Sequence, residues 1–260
     1  REGELVLGLR PRGRYWDLVD LKTCYLMPQD LIEALLQIFK NYGKRSSLAG
    51  YDPRKKEGVL RNLLVRYSSS QELLLGLSTT SIDLPREEDL VEELQEKFPS
   101  LEGLVHIINN SPASALIFED KKILWGKDHF FERVGSVNYK VSLESFFQVN
   151  RFLSLTLYEK AAGYAALSGG ETVLDLYCGS GGVGLFVADS AQQVIGVEEN
   201  PQAVEDAKFN AWLNGRNNFN CIPGRVDKML PLFSNVGVDV VILDPPRAGL
   251  DKKVVRRVSS

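Results

Sequence analysis

Cysteine, histidine and methionine are scarce: the 260 residues hold three cysteines, two histidines and two methionines. Cys24, Cys178 and Cys221 are unevenly spaced. They form neither a disulfide framework nor a metal-ligand pattern, which leaves free thiols in a reducing compartment. His106 and His129 have no metal-like partner at ligand spacing and read as structural. No apolar run approaches the length of a bilayer span, and the opening "REGELVLGLR" lacks the apolar segment of a signal peptide. These absences point to an intracellular protein, cytoplasmic or, in a eukaryote, in a plastid or mitochondrion. No membrane and no obligate protein partner is implied. An excess of one charge is lacking as well. Lys and Arg number 31 against 34 Asp and Glu, a net charge of −3, so any contact with nucleic acid must come from local patches. Internal repeats and low-complexity tracts are also missing.

What is present is ordinary globular composition, 44% hydrophobic and 25% charged, in a chain long enough for two modest domains. The pattern changes near residue 140. Over residues 1–140, short apolar runs and turns alternate with two helical stretches, an α+β arrangement. "ELVLGLRPRGRYWDLVDL" reads as a strand pair bending at Pro11 and Gly13. "MPQDLIEALLQIFKNYG" reads as a helix entered at Pro28 and closed by Gly43. "GVLRNLLVRYSSSQELLLGLSTT" reads as a hairpin, and "REEDLVEELQEKF" as a helix with acids in its first turn. Over residues 141–260, a long helical stretch "SFFQVNRFLSLTLYEKAAGYAAL" is followed by strict strand–helix alternation. Its strands are nearly continuous apolar runs, as in a doubly wound, mostly parallel α/β sheet. Both ends look cut, the first inside a strand pattern and the last inside the helix of "DKKVVRRVSS".

Three motifs sit where such a sheet places ligands, at the carboxyl ends of its strands. The first is "TVLDLYCGSGGVGL": an apolar strand carrying Asp175, then a loop with Gly179, Gly181, Gly182 and Gly184. The second is Glu198, at the end of the next strand and about twenty residues on, where an acid can accept hydrogen bonds from ribose hydroxyls. The third is "ILDPPRAGL", in which Pro245 and Pro246 stiffen a turn and present Asp244 at a fixed point. The glycine spacing and Glu198 serve NAD and S-adenosyl-L-methionine equally. Asp175 and the Asp-Pro-Pro corner favour the second, because a carboxylate is poorly suited beside a pyrophosphate and suits a cationic amino-acid end.

The combination of "SFFQVN", "DLYCGSGGVGL", "GVEENPQAVEDAKFNA" and "DPPRAGL" resembles the RNA uracil-5-methyltransferase family. "LGLRPRGRYWDLVDLKTCYLMP", "GVLRNLLVRYS" and "VHIINNSP" extend the likeness over nearly the whole chain. The resemblance implies a Rossmann-like class I methyltransferase domain, incomplete at its C-terminus, over residues 141–260. It implies a smaller α+β, RNA-contacting domain over 1–140. It implies S-adenosyl-L-methionine as cofactor and tRNA or rRNA as substrate, with 5-methyluridine as product. Gln148, Asp175, Tyr177, Gly179, Gly181, Gly182, Glu198, Asp227 and Asp244 then become donor contacts, with Asp244 also near the target base. In that family a cysteine thiolate adds to C6 of uracil so that C5 can take a methyl group. The cysteine and the proton-removing acid are expected beyond Ser260, so the chain alone is not expected to turn over. Cys178 in the donor loop is expected to be a small buried thiol.

RNA contacts are sought in two basic clusters. One is Arg10, Arg12 and Arg14 with Tyr15 and Trp16; the other is Arg54, Lys55, Lys56, Arg61 and Arg66. Arg247 is a further candidate for a phosphate or the base. A target base inside a folded stem would have to be swung out. Two rivals remain: a methyltransferase acting on another nucleobase atom, and a catalytically inactive RNA-binding homologue. An exocyclic-amine enzyme wants an aromatic residue where Arg247 stands.

Overall fold

The computed structural model describes residues 5–11, 13, 17–112, 116–247 and 249–258. The chain divides into two compact units, Arg1–Tyr67 with Gln71–His129, and Ser68–Ser70 with Phe130–Ser260.

In the first unit, strands β1 (Gly8–Leu9) and β2 (Val19–Asp20) pair antiparallel, a far shorter pair than the sequence pattern suggests. Helix α1 (Gln29–Arg45) follows. Strands β3 (Leu60–Tyr67) and β4 (Leu73–Thr79) form the expected hairpin. Helix α2 (Glu87–Lys97) then crosses to β5 (Leu101–Ile108), which lies parallel to β4, and β6 (Asp120–Gly126) closes the order β3-β4-β5-β6. Leu31, Leu35, Phe39, Leu90 and Leu94 of the two helices pack on Leu73, Leu75, Leu77 and Leu104 of the sheet. Gly43, expected to end α1, lies inside it. A Cβ there would stand 2.7 Å from Leu5 Cδ2, so this glycine serves close packing, not termination.

The second unit opens with a hairpin, β7 (His129–Val134) and β8 (Val137–Ser142). Helix α3 (Arg151–Ala165) starts six residues later than the apolar pattern suggested, because "SFFQVN" is a loop. Strand β9 (Thr172–Leu176), helix α4 (Gly182–Val187), β10 (Gln193–Glu198), α5 (Pro201–Leu213), β11 (Phe219–Pro223), α6 (Val226–Met229), β12 (Val240–Leu243) and α7 (Lys252–Val258) alternate as expected. The four strands are all parallel, in the order β11-β10-β9-β12. Asn200 caps α5, accepting from the N–H of Gln202 at 3.0 Å and Ala203 at 3.4 Å, with Pro201 in the first helical position.

Hairpin β7–β8 belongs with this second unit for a reason the apolar pattern does not carry. Side chains of α5 complete the backbone of β8. Lys140 N donates to Asn210 Oδ1 at 2.6 Å and Lys140 O accepts from Asn210 Nδ2 at 3.0 Å. Asn138 exchanges the same pair of bonds with Asn214, and Ser142 N donates to Asp206 Oδ2 at 2.9 Å. Four helical residues advance about 6 Å and two strand residues about 6.8 Å. Polar groups at every fourth position of a helix therefore match every second residue of a strand.

Candidate active site

The carboxyl ends of β9, β10 and β12 carry the motifs. The turn after β9 is tight: Tyr177, Gly179 and Gly181 all have left-handed backbone, with φ of 64°, 55° and 89°. For a tyrosine this conformation costs roughly 1–2 kcal/mol, and strain of that kind concentrates at functional sites. Gly182 and Gly184 are fixed by crowding instead. A Cβ on Gly182 would lie 2.5 Å from Tyr158 Oη, and one on Gly184 would lie 2.6 Å from Asp175 Oδ2.

The loop is braced from four sides. Asp175, 2% exposed, accepts the Gly184 N–H at 2.8 Å. Glu198 accepts Gly179 N–H at 3.0 Å and Asn200 N–H at 2.8 Å. Tyr139 Oη donates to Gly182 O at 2.7 Å. Asn210 Nδ2 donates to Ser180 O at 3.0 Å. Burial pushes the Asp175 carboxyl up to about 7; the Gly184 bond pulls the other way, and the charges of Asp244 and Glu198 raise it further. Asp175 is thus a brace under the loop that also lines the cleft, not an exposed carboxylate.

Two clefts open over this loop and share Tyr177. The first, about 330 Å³ including open solvent, is lined by Phe146, Phe147, Gln148, Tyr158, Asp175, Gly179, Gly182 and Asp244 among others. Gln148 Nε2 donates to Asp244 Oδ2 at 3.0 Å, closing the "FFQVN" loop onto the Asp-Pro-Pro corner. The second, about 560 Å³, is lined by Glu199, Gly224, Arg225, Val226, Asp227, Gly249 and Asp251. Arg225 Nε bonds Asp227 Oδ1 at 3.0 Å and holds that carboxyl below its ordinary value.

Gln148, Asp175, Tyr177, Gly179, Gly182 and Asp244 therefore meet at one cleft, and Asp227 lines the adjoining one. Glu198 stands at the tip of β10 with its carboxylate on Gly179 N. Gly181 faces inward, toward Leu185 and Phe219. Arg247 is exposed on the turn after Pro246. Arg61, expected to face RNA, is committed within the first unit: its guanidinium donates to Asn109 O and Ser111 O at 2.8 and 2.6 Å and lies over the Tyr51 ring. Arg12 and Arg14, with Tyr15 and Trp16, lie outside the described residues. Tyr139, Tyr158 and Asn210 were not anticipated, because their part depends on elements that no local pattern brings to the loop.

The cysteines are not placed as nucleophiles. Cys178 and Cys221 are buried with their sulfurs 3.6 Å apart. The hydrogen bond to Cys221, then burial, hold the Cys178 thiol well above its ordinary pKa, the reverse of what attack requires. No group of three or more metal-binding side chains occurs among the described residues.

Residues 167–258 match the methyltransferase-domain family. With four parallel strands, a glycine loop after β9 and an acid ending β10, the second unit is a class I methyltransferase domain, a class whose methyl donor is S-adenosyl-L-methionine. The clefts fit such a donor: a strained glycine turn leaves room for close backbone approach, and polar groups converge at its rim.

Over 257 residues the chain is 32% identical to an uncharacterized RNA methyltransferase of Oceanobacillus iheyensis, covering 96% of this chain and 55% of that relative. It is 37% identical to another from Caldanaerobacter subterraneus, covering 99% and 58%. The crystal structure of Pyrococcus abyssi tRNA (uracil-54, C5)-methyltransferase in complex with S-adenosyl-L-homocysteine superposes with a TM-score of 0.74 at 26% identity, covering 97% of this chain and 60% of that one. The chain is similar to these RNA methyltransferases over nearly its whole length, and it spans a little over half the length of the curated relatives it matches.

Proposed function

We propose that this chain is the donor-binding and RNA-contacting part of an enzyme that methylates C5 of a uridine in tRNA or rRNA, giving 5-methyluridine. The observation that carries the reading is the 3.0 Å bond between Gln148 and Asp244. Two motifs 96 residues apart close over one glycine loop. The likeness to a tRNA uracil-C5 methyltransferase supports the choice of base and atom.

In this reading Glu198 takes the ribose hydroxyls on the lone pairs left by Gly179 and Asn200. Asp227 and Tyr177 flank the adenine side. Gln148, Asp175 and the backbone of Gly179 and Gly182 surround the methionine arm. S-adenosyl-L-methionine, when bound, supplies an electrophilic methyl group. Asp244, held by Gln148 and by the Pro245–Pro246 corner, faces both donor and base and orients the uracil ring. C5 of uracil is a poor nucleophile until a thiolate adds at C6. Cys178 and Cys221 are buried with their sulfurs against each other, so neither supplies that thiolate in this reading.

Mass-spectrometric mapping of 5-methyluridine in tRNA and rRNA from cells lacking the gene tests the proposal. Loss of the mark at one uridine, restored by the wild-type gene and not by Asp244→Asn, is expected. Unchanged tRNA and rRNA would refute it.

A further inference from the structure

Basic residues are treated in opposite ways in two segments, 121–127 and 247–258. In the first, Lys121, Lys122 and Lys127 are each paired, with Asp128 at 3.0 Å, Glu87 at 2.6 Å and Glu102 at 2.8 Å. In the segment from Arg247 to Val258, five cations stand against the single carboxylate of Asp251, in a chain whose net charge is −3. Arg247, Lys252, Lys253 and Arg256 are all exposed, and none enters an ion pair among the described residues.

Helix α7 gains nothing locally from this arrangement. Lys252 and Lys253 occupy its first turn, where the helix dipole opposes positive charge. Lys252 with Arg256, and Lys253 with Arg257, are like charges at i, i+4. The helix is held by Val254, 1% exposed in a cluster with Val226 and Leu230, and by Asp251 Oδ1, which accepts the Lys253 N–H at 2.7 Å. A local conflict retained on an anchored element marks a functional surface.

Its place in the site narrows the partner. Gly249 and Asp251 line the second cleft, so α7 rises from the cleft's rim. Glu199, Asp227 and Asp251 make that cleft acidic beside the single cation Arg225, which repels phosphate from the donor's seat and leaves the helix to attract it. The apolar side of α7 is turned into the core through Val254, which disfavours a lipid surface.

We propose that α7 together with Arg247 is a docking surface for the phosphate backbone of the RNA, holding the strand that flanks the target nucleotide. This rests on the RNA-methyltransferase reading above.

The test is fluorescence anisotropy of a labelled oligouridylate with the full-length protein, across a salt series. Three phosphate contacts at about 0.7 each predict that Lys252→Gln/Lys253→Gln/Arg256→Gln lowers the slope of log K on log[salt] by about 2. Affinity at low salt falls at least tenfold, while S-adenosyl-L-homocysteine binding by calorimetry is unchanged. Arg247→Gln, on a turn, lowers the slope by about 0.7 and guards against a folding artefact. The paired lysines serve as a control: Lys121→Gln/Lys122→Gln leaves the slope alone. A triple variant with wild-type slope and affinity overturns the surface and spares the RNA reading. A wild type that binds no RNA overturns both. Loss of binding to phosphatidylserine vesicles with RNA binding intact assigns the patch to lipid and overturns the proposal.

Discussion

Gly182→Ala separates two physical effects of opposite sign. Gly182 opens α4 without a left-handed backbone angle, so helix propensity alone predicts that alanine stabilises by up to about 1 kcal/mol. The surroundings predict the reverse. The new Cβ would stand 2.5 Å from Tyr158 Oη and 3.2 Å from Cζ. Tyr158 is 2% exposed and packs edge-on against Phe186 and Tyr139, so it has little room to retreat. The loop cannot swing away without loosening the bond from Tyr139 to Gly182 O. Overpacking of this kind costs about 1–3 kcal/mol, and a strained Tyr139 bond adds about 1 kcal/mol. The expected net is a loss of about 2 kcal/mol in urea unfolding, with S-adenosyl-L-homocysteine affinity by calorimetry down at least tenfold. Tyr158→Phe removes the clashing oxygen. In the double variant most of the loss should return, a coupling energy of at least about 1 kcal/mol. A Gly182→Ala protein as stable as the wild type, or a double variant with purely additive losses, would refute the crowding argument.

Asp175 makes stability fall with rising pH. Its folded pKa, raised to about 7, lies above its unfolded value of 3.8, so between those values the folded state holds the extra proton and unfolding becomes easier as pH rises, by an amount on the order of 4 kcal/mol at most. Asp175→Asn should flatten that decline; parallel curves for the two proteins from pH 4 to 7 would show that Asp175 is not its source. Glu198→Gln keeps the size of the side chain but removes its charge, and should weaken S-adenosyl-L-homocysteine binding at least tenfold, about 1.4 kcal/mol; retained affinity would remove Glu198 from the donor site. Cys178→Ala/Cys221→Ala should keep donor binding within threefold, since Cys178 lines the first cleft with its sulfur buried against that of Cys221; abolished binding would show that the thiol pair is needed for the donor site. Asn210→Ala strips two backbone groups of β8 and the Ser180 carbonyl of their partners. It should cost about 3 kcal/mol, against about 1 kcal/mol for Asn214→Ala at the exposed end of the same ladder. Equal losses in urea would sink the ladder argument.

The amino-acid sequence by itself determined the elements whose cause is local. Period-two apolar runs, the Asn200–Pro201 entry to α5, the glycine turn after β9 and the rigid Asp-Pro-Pro corner follow from neighbours in the chain, and the parallel sheet follows from their alternation. Asp175, Glu198 and Asp244 were singled out by motif spacing and Gln148 and Tyr177 by the family resemblance; the fold brings Gln148, Asp175, Tyr177 and Asp244 to one cleft. Tertiary structure alone decided what depends on distant partners. Gly43 looks like a helix stop until Leu5 is seen packed against it. Hairpin β7–β8 looks like part of the first domain until α5 is seen to complete its backbone. Asp175 looks like a carboxylate for the donor's cationic end until burial is seen to raise its pKa to about 7, and Arg61 looks like an RNA contact until two carbonyls and the Tyr51 ring engage it. Backbone preference acts over a few residues and leaves its trace in the sequence; desolvation, steric contact and hydrogen-bond completion act across space and leave none.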